Sequence, residues 1–287
     1  MAAAQPVSAS ADLSPLVSTE ELAQHPEWRV FDCRHDLANP ELGEQQYREA
    51  HIPGALFAHL DRDLSAPKTG NNGRHPLPEA RTFIAWLGRL GLQTSDSVVC
   101  YDGGPGAMAA RLWWMLRWAG HERVAVLDGG FAKWRRESRP ISAEVRDISP
   151  TSYGGKAKAS MVASLALVEK KLKRAALLDA RAPARYRGEQ EPIDPVAGRI
   201  PGAKNRFNND NLRADSTFKP TEELRKEFLA VLGGRAPAEV INYCGSGVAA
   251  CHNALAMEIA GLPGSRVYVG SWSEWSTDPT RPIARSV

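Results

Sequence analysis

Cysteine is scarce and scattered in this chain. Cys33, Cys100, Cys244 and Cys251 form neither a C-x-x-C pair nor a disulfide framework, so no metal is expected and a reducing compartment is. No stretch approaches the roughly 20 apolar residues that cross a bilayer, which argues against a membrane protein. Neither charge dominates: the net charge is +3. No basic block is interleaved with aromatics, so nucleic acid is not an expected partner. The start, Met1 to Pro15, has no basic end followed by an apolar run and no arginine. It reads as an Ala/Ser-rich tail rather than a secretory or mitochondrial signal. What remains is an ordinary globular composition, 43% hydrophobic over 287 residues, with the cytoplasm as the expected location.

Against that background one segment stands out. The apolar run Val240-Ile241-Asn242-Tyr243 delivers Cys244, a short loop Gly245-Ser246-Gly247 follows, and a helical pattern begins at Ala249 and continues to Ala260. A thiol placed there faces the amino end of a helix, where unpaired N–H groups and the helix dipole favour negative charge. That environment lowers a thiol's pKa and makes it a nucleophile at neutral pH. The small loop residues let the chain curl and aim its amides at one point.

The chain is also written twice. Val30-Phe31-Asp32-Cys33-Arg34 matches Leu177-Leu178-Asp179-Ala180-Arg181, and His51-Ile52-Pro53-Gly54-Ala55 matches Arg199-Ile200-Pro201-Gly202-Ala203. Val99–Gly103 matches Ile241–Gly245. Gly129-Gly130-Phe131-Ala132-Lys133-Trp134 matches Gly270-Ser271-Trp272-Ser273-Glu274-Trp275, and Arg139-Pro140-Ile141 matches Arg281-Pro282-Ile283. The matches keep their order at offsets of 141 to 148 residues, which implies duplication of a whole domain with a core of its own in each copy. Expected boundaries are 16–143 for the first copy, 144–164 for a Ser/Gly/Lys/Asp-rich linker, and 165–287 for the second. Where the second copy has Cys244 the first has Asp102. A carboxylate cannot carry a sulfur atom, so the first copy is read as catalytically silent.

Apolar runs at Arg29–Cys33, Ser97–Tyr101, Arg123–Leu127, Ala176–Leu178, Glu239–Tyr243 and Arg266–Val269 predict strands buried on both faces. Helices are expected at Ser18–Gln24, with a capping-box pattern at Ser18 and Glu21, and at 107–119 and 249–260, each ending before a glycine. The fold class is α/β: two small parallel sheets with helices on both faces. In such sheets ligands gather at the carboxyl ends of strands, where the Cys244 loop falls. The segment Ala66–Pro78 reads as a low-complexity surface loop. Cys33, Cys100 and Cys251 read as buried small hydrophobes, Trp113, Trp114 and Trp118 as core, and His252 as a helix-face residue.

The doubled Asp-x-Arg strand ends, the doubled Ile-Pro-Gly-Ala turns, the Cys244 loop and the Trp134/Trp275 elements together resemble the two-domain rhodanese-type sulfurtransferases, over nearly everything from Leu16 to Ile283. Cys-Gly-Ser-Gly-Val is similar to the 3-mercaptopyruvate branch. Thiosulfate-using relatives typically carry Arg and Lys just after the cysteine, which suits a compact dianion. The resemblance implies two tandem rhodanese-like domains and transfer of a sulfane sulfur through a Cys244 persulfide. The acceptor would be a small thiol, a protein dithiol such as thioredoxin, or cyanide, with ping-pong kinetics and no cofactor. It implies Cys244, Ser246, His75 and Asp61 as catalytic residues, the last three as a charge-relay set. Arg185 and the loop residues Gly245, Gly247, Val248 and Ala249 would bind substrate. Arg181 would be a structural ion-pair partner. Asp63 is an equally near candidate for the role of Asp61. Two departures stand out: Ile193 follows Glu191-Pro192 where the branch often has a second substrate arginine, with Arg187 or Arg199 to compensate, and Ala249 replaces a usual threonine.

Three alternatives remain. Thiosulfate:cyanide transfer is the first. A non-catalytic regulatory or binding protein on this fold is the second. A cysteine phosphatase is the third; it needs Cys-x5-Arg, and Ala250 stands at the arginine position.

Overall fold

The computed structural model describes residues 13–172 and 176–286; the tail before residue 13 lies outside them. Nine strands occur among these residues: β1 (Leu16–Val17), β2 (Arg29–Asp32), β3 (Leu56–Phe57), β4 (Val98–Tyr101), β5 (Val124–Leu127), β6 (Ala176–Asp179), β7 (Lys204–Asn205), β8 (Val240–Tyr243) and β9 (Arg266–Val267). They form two sheets, ordered β1-β5-β4-β2-β3 and β7-β6-β8-β9, with every pair parallel. An isolated parallel bridge, Val162 to Val267, stands where β1 stands in the first sheet, so both sheets follow one order. The six apolar runs all become strands. β1, β3 and β7, two residues each, are too short to leave a periodic signal. Among the described residues no helix is long and apolar enough to cross a membrane.

The repeated motifs have repeated jobs. In the first copy Arg34 grips Asp32 through Nη2 at 2.6 Å and the Ala50 carbonyl at 2.6 Å. In the second, Arg181 grips Asp179 at 2.7 Å and the Gly198 carbonyl at 2.7 Å. The Ile-Pro-Gly turns are held by tyrosine hydroxyls at the ends of the central strands. Ile52 N donates to Tyr101 Oη at 3.2 Å, and Ile200 N to Tyr243 Oη at 3.3 Å. Trp134 and Trp275 donate their indole N–H to the carbonyls of Pro140 and Pro282, which is why each Trp is followed by an Arg-Pro. Ser18 and Ser164 cap equivalent helices, accepting from Glu21 N and Leu167 N.

The helix after each loop, Ala107–Trp118 and Val248–Ile259, is buried on almost every side, and the two pack against each other. Around them lies one apolar cluster fed by both copies, with Phe31, Trp113, Trp114 and Trp118 from the first and Leu178, Phe228, Cys244 and Leu255 from the second. The outer face of each sheet has a separate cluster. The inner core is therefore shared, where the sequence suggested one for each copy. At the seam, His252 is fully buried, stacked on Phe218 at 4.7 Å, with Nδ1 3.2 Å from Asn211 Nδ2.

Burial pushes the His252 pKa down to about 4, below the roughly 6.5 of an unfolded histidine. Its stabilising contribution is complete above pH 6.5 and is lost as pH falls toward 4, because the unfolded chain takes up the proton first. Thermal unfolding followed across pH 7 to 4 should show falling stability. In His252→Phe the slope should be shallower by up to ~1.4 kcal/mol per pH unit.

Candidate active site

β8 ends at Tyr243, and Cys244 opens the loop into the second of the paired helices. Cys244 is 3% exposed. Its Sγ accepts the Gly247 N–H at 3.1 Å. Gly247 adopts φ +82°, and a Cβ there would lie 2.4 Å from the Val269 carbonyl oxygen, so glycine is required. The segment Gly270–Ser273 braces the loop from outside: Trp272 N donates to Cys244 O and Ser273 N to Gly245 O. Ser271 takes φ +54°, the value of its first-copy counterpart Gly130, and its hydroxyl accepts the Cys244 N–H at 3.1 Å. A serine held in that region costs on the order of 1–2 kcal/mol. The repeat pairing had marked Ser271 only as a matched position; the Gly-to-Ser change between copies was the available signal.

The first copy shows what this loop does with an anion. Asp102 Oδ1 accepts Gly104 N and Gly106 N at 2.9 Å each, and Oδ2 accepts Met108 N at 3.0 Å and Ala109 N at 3.3 Å. The carboxylate fills its own cradle and caps the helix behind it.

The segment 66–78 departs from the surface loop expected. Residues 67–71 are exposed, but His75 and Pro76 are buried. The reason is docking onto the second copy. Gly73 packs so close to Gly270 that a Cβ would lie 2.8 Å from its carbonyl oxygen, and Arg74 N donates to Ser273 Oγ at 3.0 Å. From the first copy's own side, the fully buried Arg111 donates to the carbonyls of Leu64 (3.0 Å) and His75 (3.2 Å). These restraints set His75 Nδ1 2.8 Å from Ser246 Oγ and His75 Nε2 3.7 Å from Asp61 Oδ1. Burial, aided by Arg111, pushes the His75 pKa down to about 3, so the ring is neutral at pH 7. Asp63 turns away; its Oδ2 accepts the His59 N–H at 2.8 Å.

A web of charge surrounds the loop mouth. Arg185 donates to Glu191 through Nε (3.0 Å) and Nη2 (2.6 Å), and to Asp194 Oδ2 at 3.0 Å. Arg181 joins Asp179 to Glu191 and lies over the Trp272 ring at 5.0 Å. Arg74, absent from the sequence-derived candidates, pairs with the other oxygen of Asp194. A Cβ on Gly245 would lie 2.7 Å from Arg74 Nη2 and 3.5 Å from Arg185 Nη2. Arg187 and Arg199 are engaged elsewhere: Arg187 with Glu189, Arg199 with the Tyr186 carbonyl and Ser286. Ile193 is 46% exposed. Burial pushes the Cys251 thiol up to about 12, which fits packing rather than reactivity.

Among the described residues, His35, His59 and Asp61 bring ligand atoms within 4.8 Å of one another. His59 Nδ1, however, accepts the N–H groups of Asp61 (3.1 Å) and Arg62 (3.3 Å). The neutral ring therefore carries its proton on Nε2, the atom a metal would need.

A family profile described as "Rhodanese-like domain" matches residues 18–137 and 164–278. A Pseudomonas aeruginosa protein named as a probable 3-mercaptopyruvate sulfurtransferase is 48% identical over 276 residues, covering 94% of this chain and 97% of its own. Mouse thiosulfate sulfurtransferase is 36% identical over 276 residues, covering 91% of each chain. The solved structure of 3-mercaptopyruvate sulfurtransferase from Leishmania major superimposes with a TM-score of 0.81 at 31% identity, covering 91% of this chain and 74% of that one.

Replacing Asp102 by Ala strands four amide donors in a buried loop. Thermal unfolding should register a loss of about 2–4 kcal/mol, while the activity of the whole protein stays within about twofold.

Proposed function

This chain belongs to the rhodanese-like family and is a sulfurtransferase, and from that premise we propose that it takes the sulfane sulfur of 3-mercaptopyruvate onto Cys244 and passes it to a thiol. The observation that carries this reading is the seat of Cys244: a sulfur already accepting a loop amide, next to a glycine overlaid by arginine.

In the first half-reaction the Cys244 thiolate attacks the donor sulfur. A new S–S bond forms and the donor C–S bond breaks. Its electron pair passes to the leaving carbon as the enolate of pyruvate, which is then protonated. The amides of Gly245, Gly247, Val248 and Ala249 line the space where negative charge sits before and after transfer. Arg185 holds the donor carboxylate. Asp61 keeps the proton of neutral His75 on Nε2, so Nδ1 accepts the Ser246 O–H and fixes that hydroxyl beside the loop, and the proton that turns the enolate into pyruvate comes from water. In the second half-reaction an acceptor thiolate attacks the outer sulfur of the persulfide and Cys244 leaves as thiolate. A small thiol or a dithiol protein such as thioredoxin serves as acceptor.

Charge balance supports the donor assignment. Three arginines at the mouth (74, 181 and 185) face three carboxylates (179, 191 and 194), so the mouth is neutral overall. A neutral mouth with directed guanidinium forks suits a monocarboxylate better than a compact dianion such as thiosulfate. Within this reading residues 16–143 form the inert copy and 165–287 the catalytic one, with 144–164 linking them, and the enzyme works in the reducing cytoplasm.

Incubation with 3-mercaptopyruvate should add about 32 Da, one sulfur, to Cys244, and Cys244→Ser should lower turnover on the order of 10³-fold. In paired kinetics kcat/KM should be higher for 3-mercaptopyruvate than for thiosulfate; the reverse ranking would sink the donor assignment. Arg185→Ala should cost about 10–100-fold in kcat/KM for 3-mercaptopyruvate.

A further inference from the structure

Arg111 lies in the first of the paired helices and is fully buried. Its Nη2 donates to two carbonyls of its own copy, Leu64 at 3.0 Å and His75 at 3.2 Å. Its Nε and Nη1 have no hydrogen-bond partner. Holding two carbonyls needs a donor but not a charge. A guanidinium keeps its proton even in an apolar core, and there it is costly unless an anion answers it. The guanidiniums around the loop mouth, Arg74, Arg181 and Arg185, each face a carboxylate. The acidic groups that act on Arg111 are instead two thiols of the second copy, Cys251 and then Cys244. Cys251 is pushed up to about 12, so at neutral pH it keeps its proton. It spends its S–H on the Gly247 carbonyl at 3.1 Å. His75, whose carbonyl Arg111 holds, is neutral at pH 7. Cys244 is what remains. It lies in the apolar cluster that the paired helices share, where little water screens a charge.

We propose that Arg111 is a positioning residue for sulfur transfer: a fixed positive charge from the first copy that keeps Cys244 ionised between turnovers and its persulfide ionised after the first half-reaction. The inference rests on Cys244 being the nucleophile, as read above, and is independent of the donor. On it, the loop amides give the sulfur its directed dipoles, and Arg111 gives the loop a net charge from behind. The vacant N–H groups are then the mark of a cation whose counter-ion is a reactive group, present when the thiol is ionised and lost when it is alkylated.

The test follows alkylation of Cys244 by iodoacetamide, an uncharged reagent, across a range of pH in the whole protein. Arg111→Gln keeps a donor for the carbonyls and removes the charge. It should slow alkylation at pH 7 about tenfold, with the two rates converging above about pH 10, where any thiol is ionised. The kcat/KM for 3-mercaptopyruvate should fall in parallel. Arg111→Lys keeps the charge and should stay within about threefold of the parent. A melting temperature close to that of the parent checks that each variant is folded. Should Arg111→Gln not fold, Arg111→Met, an apolar chain of similar length, carries the same expectation. The two sites should also be coupled: at pH 8, Arg111→Gln should lower the melting temperature more in the parent than in Cys244→Ser, which has no anion to lose. Equal alkylation rates at pH 7 in Arg111→Gln and the parent overturn the assignment and leave Cys244 as the nucleophile. So does a loss in Arg111→Lys as large as in Arg111→Gln, since that is what a purely structural role predicts. If alkylated Cys244 leaves sulfur transfer intact, the reading of Cys244 falls and this one with it.

Discussion

A helix that begins inside a protein carries amide N–H groups that need an acceptor. This chain buries two such beginnings, one for each of the paired helices, and much of its chemistry follows from how each is answered. In the first copy a carboxylate closes the loop permanently with four bonds. In the second the acceptor is Sγ of Cys244, a group that can be spent on a reaction and restored. The glycines at φ +83° and +82°, Gly106 and Gly247, keep the two loops in nearly one shape. The two loops thus differ chiefly by one side chain, Asp102 or Cys244, on a common backbone.

Holding that backbone still falls to residues some distance along the chain. Ser271 trades backbone strain for a bond to the amide of Cys244, where Gly130 in the first copy needs no such exchange. Arg181, locked to Asp179 and Glu191 and laid over Trp272, ties the strand end to the bracing segment. Arg111, from the first copy's own paired helix, holds the His75 carbonyl from beneath. Each device is polar and buried, and each finds a partner that the fold, rather than solvent, supplies, though Nε and Nη1 of Arg111 have none.

The nucleophile loop and the duplication were legible in the sequence because both are local patterns: strand, cysteine, glycines and helix in direct succession, then the same words again. The Asp-x-Arg and Trp…Arg-Pro pairs could be matched, but their purpose needed coordinates. Asp61 could not be separated from Asp63 by spacing, since only the local turn decides which one caps His59 N and which one faces His75. Arg74 was hidden for a different reason. It lies in a stretch whose Pro, Gly and Asn content reads as exposed loop, and its partners Asp194 and Gly245 are 120 and 171 positions away, in the other copy. Composition reports on a segment's own preferences and is blind to a surface that folds over it.

The apolar layer shared by the paired helices has an evolutionary corollary. A duplicated half whose loop carries no cysteine would ordinarily be free to drift or be deleted. Here Trp113, Trp114 and Trp118 occupy the same cluster as Cys244 and Val248, so removing the first half would strip the second of the wall the Cys244 loop leans on. Packing therefore constrains the first half, and a substitution deep within it reaches the surroundings of Cys244 in the other. The two halves are best understood as one inheritable unit that will melt and mutate together.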